Sequence, residues 1–273
     1  ELDPPKGGSL DGLIATARTL RDSGAVGFVD VNDNPMARAR MNALMASVAI
    51  ERETGLETIP HVTPRDTTVM GLEGMLLGAH AQGVRNVLAV TGDPPHVGDY
   101  PGAHGVYEVD SIGLTQLLTR LNEGEDYVGK AIDAPTSFFV GVAVNPSADD
   151  VDLELERFER KLEAGARFAM TQALFELDSL ATFVERLGGC PIPLLVGVWP
   201  LRSVALALRL HNEVPGISVP DHVLDALRDS GPNAPDVGLE IARALVEQAR
   251  EVAAGIYVIP PFKHPEAALE LLL

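Results

Sequence analysis

A carboxylate follows a run of apolar residues in the stretch VTGDPPHVGDY, residues 90–100. Asp93 stands just after a glycine and just before two prolines, and this pattern has two interpretations. Gly, Asp and Pro are common turn residues, so a plain turn would account for it. Alternatively, a buried strand delivers the carboxylate to a site and the prolines hold it in place. The residues at the other predicted strand ends favour the second interpretation.

Polar or aromatic side chains follow the other apolar runs as well. The residues at the predicted strand ends are Glu1, Asp3, Asn32, Asp33, Asn34, His61, Thr63, Arg65, Asp66, Thr91, Asp93, Asn145, Thr171, Gln172, Phe175, Trp199, Arg202, Phe262 and Lys263. In a barrel of parallel strands the carboxyl ends share one face, and that face carries the chemistry. One such residue is usually a turn former or a helix cap, whereas eight such strand ends favour an active site.

Eight short apolar runs alternate with segments of helical periodicity. The predicted strands are 1–5 (partial), 26–32, 58–63, 87–93, 138–145, 168–175, 194–199 and 255–262. The predicted helices are 9–23, 35–54, 67–82, 111–122, 151–164, 178–187, 203–212 and 237–253, with an extra short helix over 221–229 before the last unit. Runs that are apolar on both faces are typical of parallel strands covered by helices. The pattern predicts an α/β fold, a single-domain (β/α)8 TIM barrel; a doubly wound sheet ranks lower because no Gly-x-Gly-x-x-Gly follows a strand.

Composition excludes several classes of protein. The net charge of −18 argues against a nucleic-acid or anionic-membrane surface, and no apolar run approaches the ~18 residues of a membrane span. Cys190 is the only cysteine, so no internal disulfide forms and a reducing, cytoplasmic setting is expected. His96 and His104 lack a second ligand pair of suitable spacing, so no metal site is expected. The chain starts at Glu1 rather than Met, as if cut from a longer one.

Four segments together resemble methylenetetrahydrofolate reductases. They are TPRD at 63–66, VTGDPP at 90–95, KLEAGARFAMTQ at 161–172 and YVIPPF at 257–262. More narrowly, NPMARARM at 34–41, LLGAHAQGVRNVLAVTGDPPHVGDYP at 76–101 and YEVDSIGL at 107–114 resemble the reductase half of bifunctional homocysteine methyltransferase/methylenetetrahydrofolate reductases. The resemblance covers essentially all of residues 1–273. It implies a flavin-dependent barrel that reduces 5,10-methylenetetrahydrofolate to 5-methyltetrahydrofolate through FAD, with NADH or NADPH as the reductant, in a ping-pong hydride relay. It also implies a fused or associated homocysteine methyltransferase module and a homo-oligomer.

The resemblance assigns the two catalytic residues. Glu1 stands where the family has a general acid, followed by two residues and then a proline pair. Opening the substrate ring to an N5 iminium needs a proton on N10, and a carboxyl group whose pKa is raised by burial can donate it. Leu2 and Asp3 stand where the family commonly has aromatic residues, and Asp3 stays open as a competing acid. Asp93 matches the family aspartate near flavin and pterin, where it would accept pterin N–H groups and favour the cationic iminium.

The resemblance also assigns binding roles. The expected folate contacts are Asp93, Gln172 at the pterin edge, Phe175, and Arg202 and Lys263 at the glutamate tail or the nicotinamide phosphates. The expected flavin contacts are Asn32 and His61 near the ribityl chain and phosphates, Asp110 and Ser111 near the adenosine half, Lys161 on the pyrophosphate, and Thr91 and Gly92. The family often has Arg where Thr91 stands, which removes one phosphate contact. A core role for His61 and Phe175, and a surface role for the two cations, stay open.

Three other functions remain open at this point. One is direct hydride transfer to folate without a flavin. Another is a barrel lyase or aldolase that uses Glu1 and Asp93 as an acid–base pair. The third is a non-catalytic module that binds folate. The sequence does not distinguish NADH from NADPH, because no acidic or basic ribose-recognition residue can be picked out.

Overall fold

The computed structural model describes residues 1–214, 216–260 and 268–272. The strands are β1 (Phe28–Val31), β2 (Glu57–Val62), β3 (Asn86–Ala89), β4 (Phe139–Val144), β5 (Phe168–Leu174), β6 (Leu194–Val198) and β7 (Gly255–Val258). The α-helices are α1 (Asp11–Asp22), α2 (Ala43–Thr54), α3 (Val69–Ala81), α4 (Ser111–Glu123), α5 (Val151–Glu163), α6 (Asp178–Arg186), α7 (Val204–Glu213), α8 (Asp221–Ser230), α9 (Ala234–Val252) and α10 (Leu269–Leu272). Short 3-10 turns occupy Pro35–Ala37, Pro95–Val97 and Gly231–Asn233.

The strands follow one another in the sheet in chain order, from β1 to β7. The pairs β1–β2, β2–β3, β3–β4, β5–β6 and β6–β7 are parallel, with helices in the connections. This order confirms the α/β fold of the TIM-barrel class, because a doubly wound sheet would reverse its strand order at a switch point. The predicted strand over residues 1–5 is reduced to one parallel bridge between Leu2 and Val31.

The described chain forms two compact units, Glu1–Val142 with Arg160–Arg167, and Ala143–Glu159 with Phe168–Leu273. In the first unit, helices α2 to α4 pack on β2 to β4 through a core that includes Leu44, Val62, Leu72, Leu76, Val87, Leu117, Leu121 and Phe138. The core of the second unit includes Ala173, Phe175, Leu201, Leu210, Val219, Leu227 and Ile259. No described helix is both long enough and apolar enough to cross a membrane.

Helix α4 shows how the sequence dictates one of these elements. Leu114, Leu117, Leu118 and Leu121 recur at helical spacing and are all buried, so one face of the helix joins the core of the first unit. Its side-chain cap is Asp110, whose Oδ1 accepts the N–H groups of Ile112 and Gly113, both at 3.0 Å. The helix ends at Gly124, which has the left-handed φ of +84° that suits a residue without a side chain.

The predicted helix over 35–54 is wrong in its first part. Residues Pro35–Ala37 form a separate 3-10 turn, and α2 begins only at Ala43. Met36 and Ala37 have φ values of +54° and +51°, a left-handed conformation from which a right-handed helix cannot continue. A new helix start is then supplied by Asn42, whose side chain accepts the N–H of Met45. The other predicted helices agree with the structure to within three residues at each end.

Candidate active site

Hydrogen bonds connect the residues that follow β1, β2 and β3 in the first unit. The backbone N–H of Thr63 donates to Asp33 Oδ2 at 3.1 Å, and the N–H of Arg65 donates to Thr63 Oγ1 at 2.9 Å. The guanidinium of Arg65, which is buried, then donates from Nη1 to the carbonyl oxygen of Asp93 at 3.1 Å. Polar groups from three neighbouring strand ends therefore form one connected cluster, as the sequence predicts for a barrel face.

Glu1 lies beside the end of β1. The N–H of Leu2 donates to the carbonyl of Asp30 at 2.8 Å, and the N–H of Asn32 donates back to Leu2 at 3.0 Å, so the first residues run along the strand. The carboxyl Oε1 of Glu1 accepts a hydrogen bond from Asn32 Nδ2 at 2.8 Å. The same amide donates to Asp3 Oδ1 at 3.0 Å. Asn32 therefore orients both of the acids that the sequence offers as proton donors.

A buried acid from β1 faces Glu1 and changes its chemistry. The Asp30 side chain is only 1% exposed; its Oδ1 lies 3.3 Å from the backbone nitrogen of Glu1 and its Oδ2 lies 3.4 Å from His61 Nε2. Burial raises the pKa of Glu1, and the negative charge of Asp30 raises it further, against smaller opposing effects that include His61 and Asn32. A raised pKa favours the protonated form of the carboxyl group, which is the form that a general acid needs.

His61 is the histidine of this cluster. Burial lowers the pKa of His61, but its interaction with Asp30 and the smaller effects of Glu1 and Asp33 outweigh burial, so the net pKa is raised. The pairing with Asp30 therefore favours the protonated form of the imidazole. The pairing of His61 with Asp30 is compatible with the alternative in which His61 has a core role. The contact of His61 with the cofactor stays a prediction.

Asp33 is the second carboxyl group in the cluster whose pKa is raised. Burial raises the pKa of Asp33 to about 6, although the Thr63 N–H and the charges of Arg65 and His61 oppose it. Asp30 is not among the residues predicted from the sequence, and Asp33 is predicted only as one of many strand-end residues. The sequence did contain a signal for the pairing of Asp30, because Asp30 is the one acid inside the apolar run FVDV. A buried acid needs a partner.

Asp93 is held on both its side chain and its backbone. Its carboxylate Oδ2 accepts the N–H of Met36 at 2.7 Å, and its carbonyl accepts Arg65 Nη1 at 3.1 Å and the Tyr107 hydroxyl at 3.2 Å. The preceding Gly92 has φ +85°, and a Cβ there would lie 2.6 Å from Thr63 Oγ1. The turn interpretation and the site interpretation are therefore compatible, because a glycine turn delivers this carboxylate to the cluster.

Three of the predicted flavin contacts, Thr91, Asp110 and Ser111, meet at the start of α4. Asp110 Oδ1 caps the helix, and the N–H of Ser111 donates to Thr91 Oγ1 at 3.3 Å. Lys161, on α5, is 5% exposed, unlike the solvated lysine that is typical of a helix. All four residues belong to the first unit, and their contact with a flavin stays a prediction.

The predicted folate contacts Gln172, Phe175 and Arg202 lie in the second unit. Gln172 is partly buried on β5, next to Thr171, which binds the N–H of Gly197 at 3.0 Å. Phe175 is buried in the core of that unit, which agrees with the core alternative given above. Arg202 follows β6 and is exposed. The prediction for Lys263 falls outside the described residues.

The α/β fold and the acids at its strand ends define a protein of the barrel-enzyme class. A profile of the family "Methylenetetrahydrofolate reductase" matches residues 1–259, so this chain belongs to the methylenetetrahydrofolate reductase family. It is 26% identical over 269 residues to methylenetetrahydrofolate reductase 1 of Schizosaccharomyces pombe, covering 94% of this chain and 42% of that one. It is 25% identical over 252 residues to the 5,10-methylenetetrahydrofolate reductase of Escherichia coli K12, covering 90% and 79%. The chain thus spans less than half of the fission-yeast relative.

A solved structure shares the fold over nearly the whole chain. It is an uncharacterized protein from Clostridium thermocellum described as binding two copies of 5-methyl-5,6,7,8-tetrahydrofolic acid. The TM-score is 0.64, the identity is 14%, and the match covers 99% of this chain and 91% of the other. At this identity the likeness supports the fold alone.

Proposed function

We propose that this protein reduces 5,10-methylenetetrahydrofolate to 5-methyltetrahydrofolate, with NADH or NADPH as the reductant and FAD as the bound cofactor. The observation that carries the proposal is Glu1, an acid whose pKa is raised beside the buried Asp30, in a chain of this family. The names of the curated relatives support the same substrate.

Glu1 supplies the proton that the reaction needs. When its carboxyl proton moves to N10 of the substrate, the bond between N10 and the bridging methylene carbon breaks and leaves the N5 iminium that accepts hydride. Asn32 Nδ2 donates a hydrogen bond to Oε1 of Glu1 and so orients its carboxyl group. Burial and, after it, the negative charge of Asp30 raise the pKa of this acid and favour its protonated form, while His61 limits how far the pKa rises.

Asp93 stabilises the cation that this step creates. One carboxylate oxygen is fixed by the N–H of Met36, and the other accepts no hydrogen bond within the parts of the chain described. That second oxygen is free to accept the N–H groups of a pterin. A fixed negative charge near N5 lowers the energy of the iminium without reorganising when it forms.

The first unit has side chains that suit a flavin. Lys161 is a buried ammonium in a protein of net charge −18, which fits an anionic pyrophosphate. Asn32 Oδ1 accepts no hydrogen bond in the described ranges and suits a ribityl hydroxyl. When bound, FAD would take a hydride from the nicotinamide and pass it to the folate.

A second candidate is reduction of the same folate without a flavin, by direct transfer from the nicotinamide. Two of the expected cofactor contacts support it, because the Thr91 hydroxyl and the Asp110 carboxylate already bind the first turn of α4. Thr91 also stands where the family often has Arg. In this version Glu1 and Asp93 keep the roles given above.

The absorption spectrum of the purified protein separates these candidates. The protein is mixed with NADH or NADPH without oxygen, then with 5,10-methylenetetrahydrofolate, and the folate product is identified by chromatography. A yellow protein that bleaches and then forms 5-methyltetrahydrofolate supports the proposal. A colourless protein that forms the same product supports flavin-free transfer. Folate binding without any reduction would indicate a non-catalytic binding module and would refute both the flavin-dependent and the flavin-free candidate.

We further propose a homo-oligomer in the cytoplasm and a homocysteine methyltransferase module, fused or associated. The resemblance of segments 34–41, 76–101 and 107–114 to bifunctional proteins supports the module, and the single cysteine supports the compartment. The mass of the native polypeptide, together with light scattering of the purified protein, tests the fusion and the oligomer. Comparing rates with NADH and NADPH identifies the reductant.

A further inference from the structure

Left-handed backbone is concentrated around Asp93. Among the described residues, the non-glycine residues with positive φ are Asn34 at +48°, Met36 at +54°, Ala37 at +51° and Tyr107 at +43°. Such a conformation is unfavourable for a residue with a Cβ and persists only where the surrounding structure imposes it, often at active sites. Met36 and Tyr107 both donate hydrogen bonds to Asp93, and Asn34 and Ala37 flank Met36.

The residues Asn34–Arg40, here the strap segment, carry three of these four residues. The left-handed turn points the N–H of Met36 at Asp93 Oδ2, at 2.7 Å. The turn is closed by Asn34 Oδ1, which accepts the N–H of Arg40 at 2.7 Å. Its start is fixed by Arg65 Nη2, which donates to the carbonyl of Asn34 at 3.3 Å. The conformation of the strap segment and the position of the Asp93 carboxylate are therefore linked.

The strap segment also contacts the chain that follows Asp93. The N–H of Asp99 donates to the carbonyl of Ala37 at 3.2 Å, and Asp99 Oδ2 accepts the N–H of Ala39 at 3.2 Å and Lys6 Nζ at 2.9 Å. Between them, Gly98 lies so close that a Cβ there would be 2.0 Å from the Ala37 carbonyl oxygen. Only glycine permits this approach, because the atom in the way is backbone and cannot rotate aside.

We propose that the strap segment is a positioning element for Asp93, and that Gly98 sets its position. The N–H of Met36 fixes one carboxylate oxygen and so turns the other toward the ligand. This role rests on the proposed function, in which that oxygen binds the pterin. No residue of the strap segment needs to touch the substrate for the role to hold.

Gly98→Ala is the variant that tests the proposal, and Gly102→Ala is its matched control. The added methyl at residue 98 must push the Ala37 carbonyl away, whereas a Cβ at residue 102 of the same loop would meet no atom within 4 Å. Hydrogen exchange at the Met36 amide should speed up in Gly98→Ala and stay unchanged in Gly102→Ala. Binding of 5-methyltetrahydrofolate should weaken about 10- to 100-fold in Gly98→Ala, the range that a displacement of about 1 Å can cost.

A double variant shows whether Gly98 acts through Asp93. In an Asp93→Asn background, Gly98→Ala should cause little further loss of folate binding, since the positioned charge is already gone. An equal further loss would overturn the proposal, as would unchanged Met36 exchange. If Gly98→Ala does not fold, Asp99→Ala removes the side-chain contacts with the Ala39 N–H and with Lys6 without adding an atom, and should show the same coupling. Wild-type protein that binds no folate would instead overturn the proposed function, whatever the exchange result.

Discussion

Replacing Asp33 with Asn should stabilise the protein at neutral pH. Burial raises the pKa of Asp33 from its ordinary 3.8 to about 6, so the folded protein tolerates its charged form poorly. Asn keeps the size of the side chain and an oxygen that can accept the N–H of Thr63, which now binds Asp33 at 3.1 Å. The substitution therefore removes the buried charge with little change in shape.

The sign and size of the effect follow from proton linkage. Between about pH 4 and about pH 6 the folded state binds the Asp33 proton more tightly than the unfolded state, so wild-type stability falls as the pH rises. Each pKa unit is worth about 1.4 kcal/mol, and the rise from 3.8 to about 6 sets an upper limit of about 3 kcal/mol. Asp33→Asn has no such titration, so its advantage over the wild type should appear across that interval and persist above it.

Urea unfolding followed by far-UV circular dichroism at several pH values measures the difference, since urea adds no ionic screening. Asp66→Asn is the control of opposite sign, because the hydrogen bonds from Arg65 lower the pKa of Asp66. A lowered pKa contributes stability that is present above the ordinary value of 3.8 and is lost as the pH falls, so Asp66→Asn should be less stable than the wild type above that value and should approach it on acidification. A difference between Asp33→Asn and the wild type that stays constant with pH would refute the reasoning.

Three further predictions concern Gly92, His61 and Lys161. Gly92→Ala should lower the free energy of unfolding by about 2–5 kcal/mol, because left-handed backbone strain of about 1–2 kcal/mol adds to a steric clash of about 1–3 kcal/mol. Gly24→Ala, at φ +70° with no neighbour within 4 Å, is the control and should lose only the strain contribution. His61→Gln removes a positive charge that lowers the pKa of Glu1, so the basic limb of the turnover profile should move to higher pH, and an unmoved limb would contradict the assignment. Lys161→Met should lower the flavin content per protein in the absorption spectrum, and an unchanged ratio would remove Lys161 from the cofactor site.

The fold was predictable because its signals are local. Strands that are apolar on both faces and helices with one apolar face appear directly in the sequence, and seven of the eight predicted strands are present. The start of the predicted helix over 35–54 was not predictable. Met36 and Ala37 take their left-handed conformation from contacts with Asp93 and Asp99, which lie about sixty residues away in sequence.

The site was predictable in part for the same reason. Strand-end positions placed Asp33, Thr63 and Asp93 in one group, and the hydrogen bonds through Thr63 and Arg65 agree with this. The pairing of Asp30 with His61 depends on the register of β1 against β2, which sets Asp30 opposite Ile59, and no local pattern specifies that register.

Turnover and folate binding by Glu1→Gln test the central claim most directly. Gln keeps an oxygen that can accept the Asn32 amide but has no proton to give to N10. The account predicts that 5,10-methylenetetrahydrofolate still binds while its reduction slows by about 10²- to 10⁴-fold, the usual contribution of a general acid. Reduction at the wild-type rate by Glu1→Gln would contradict it.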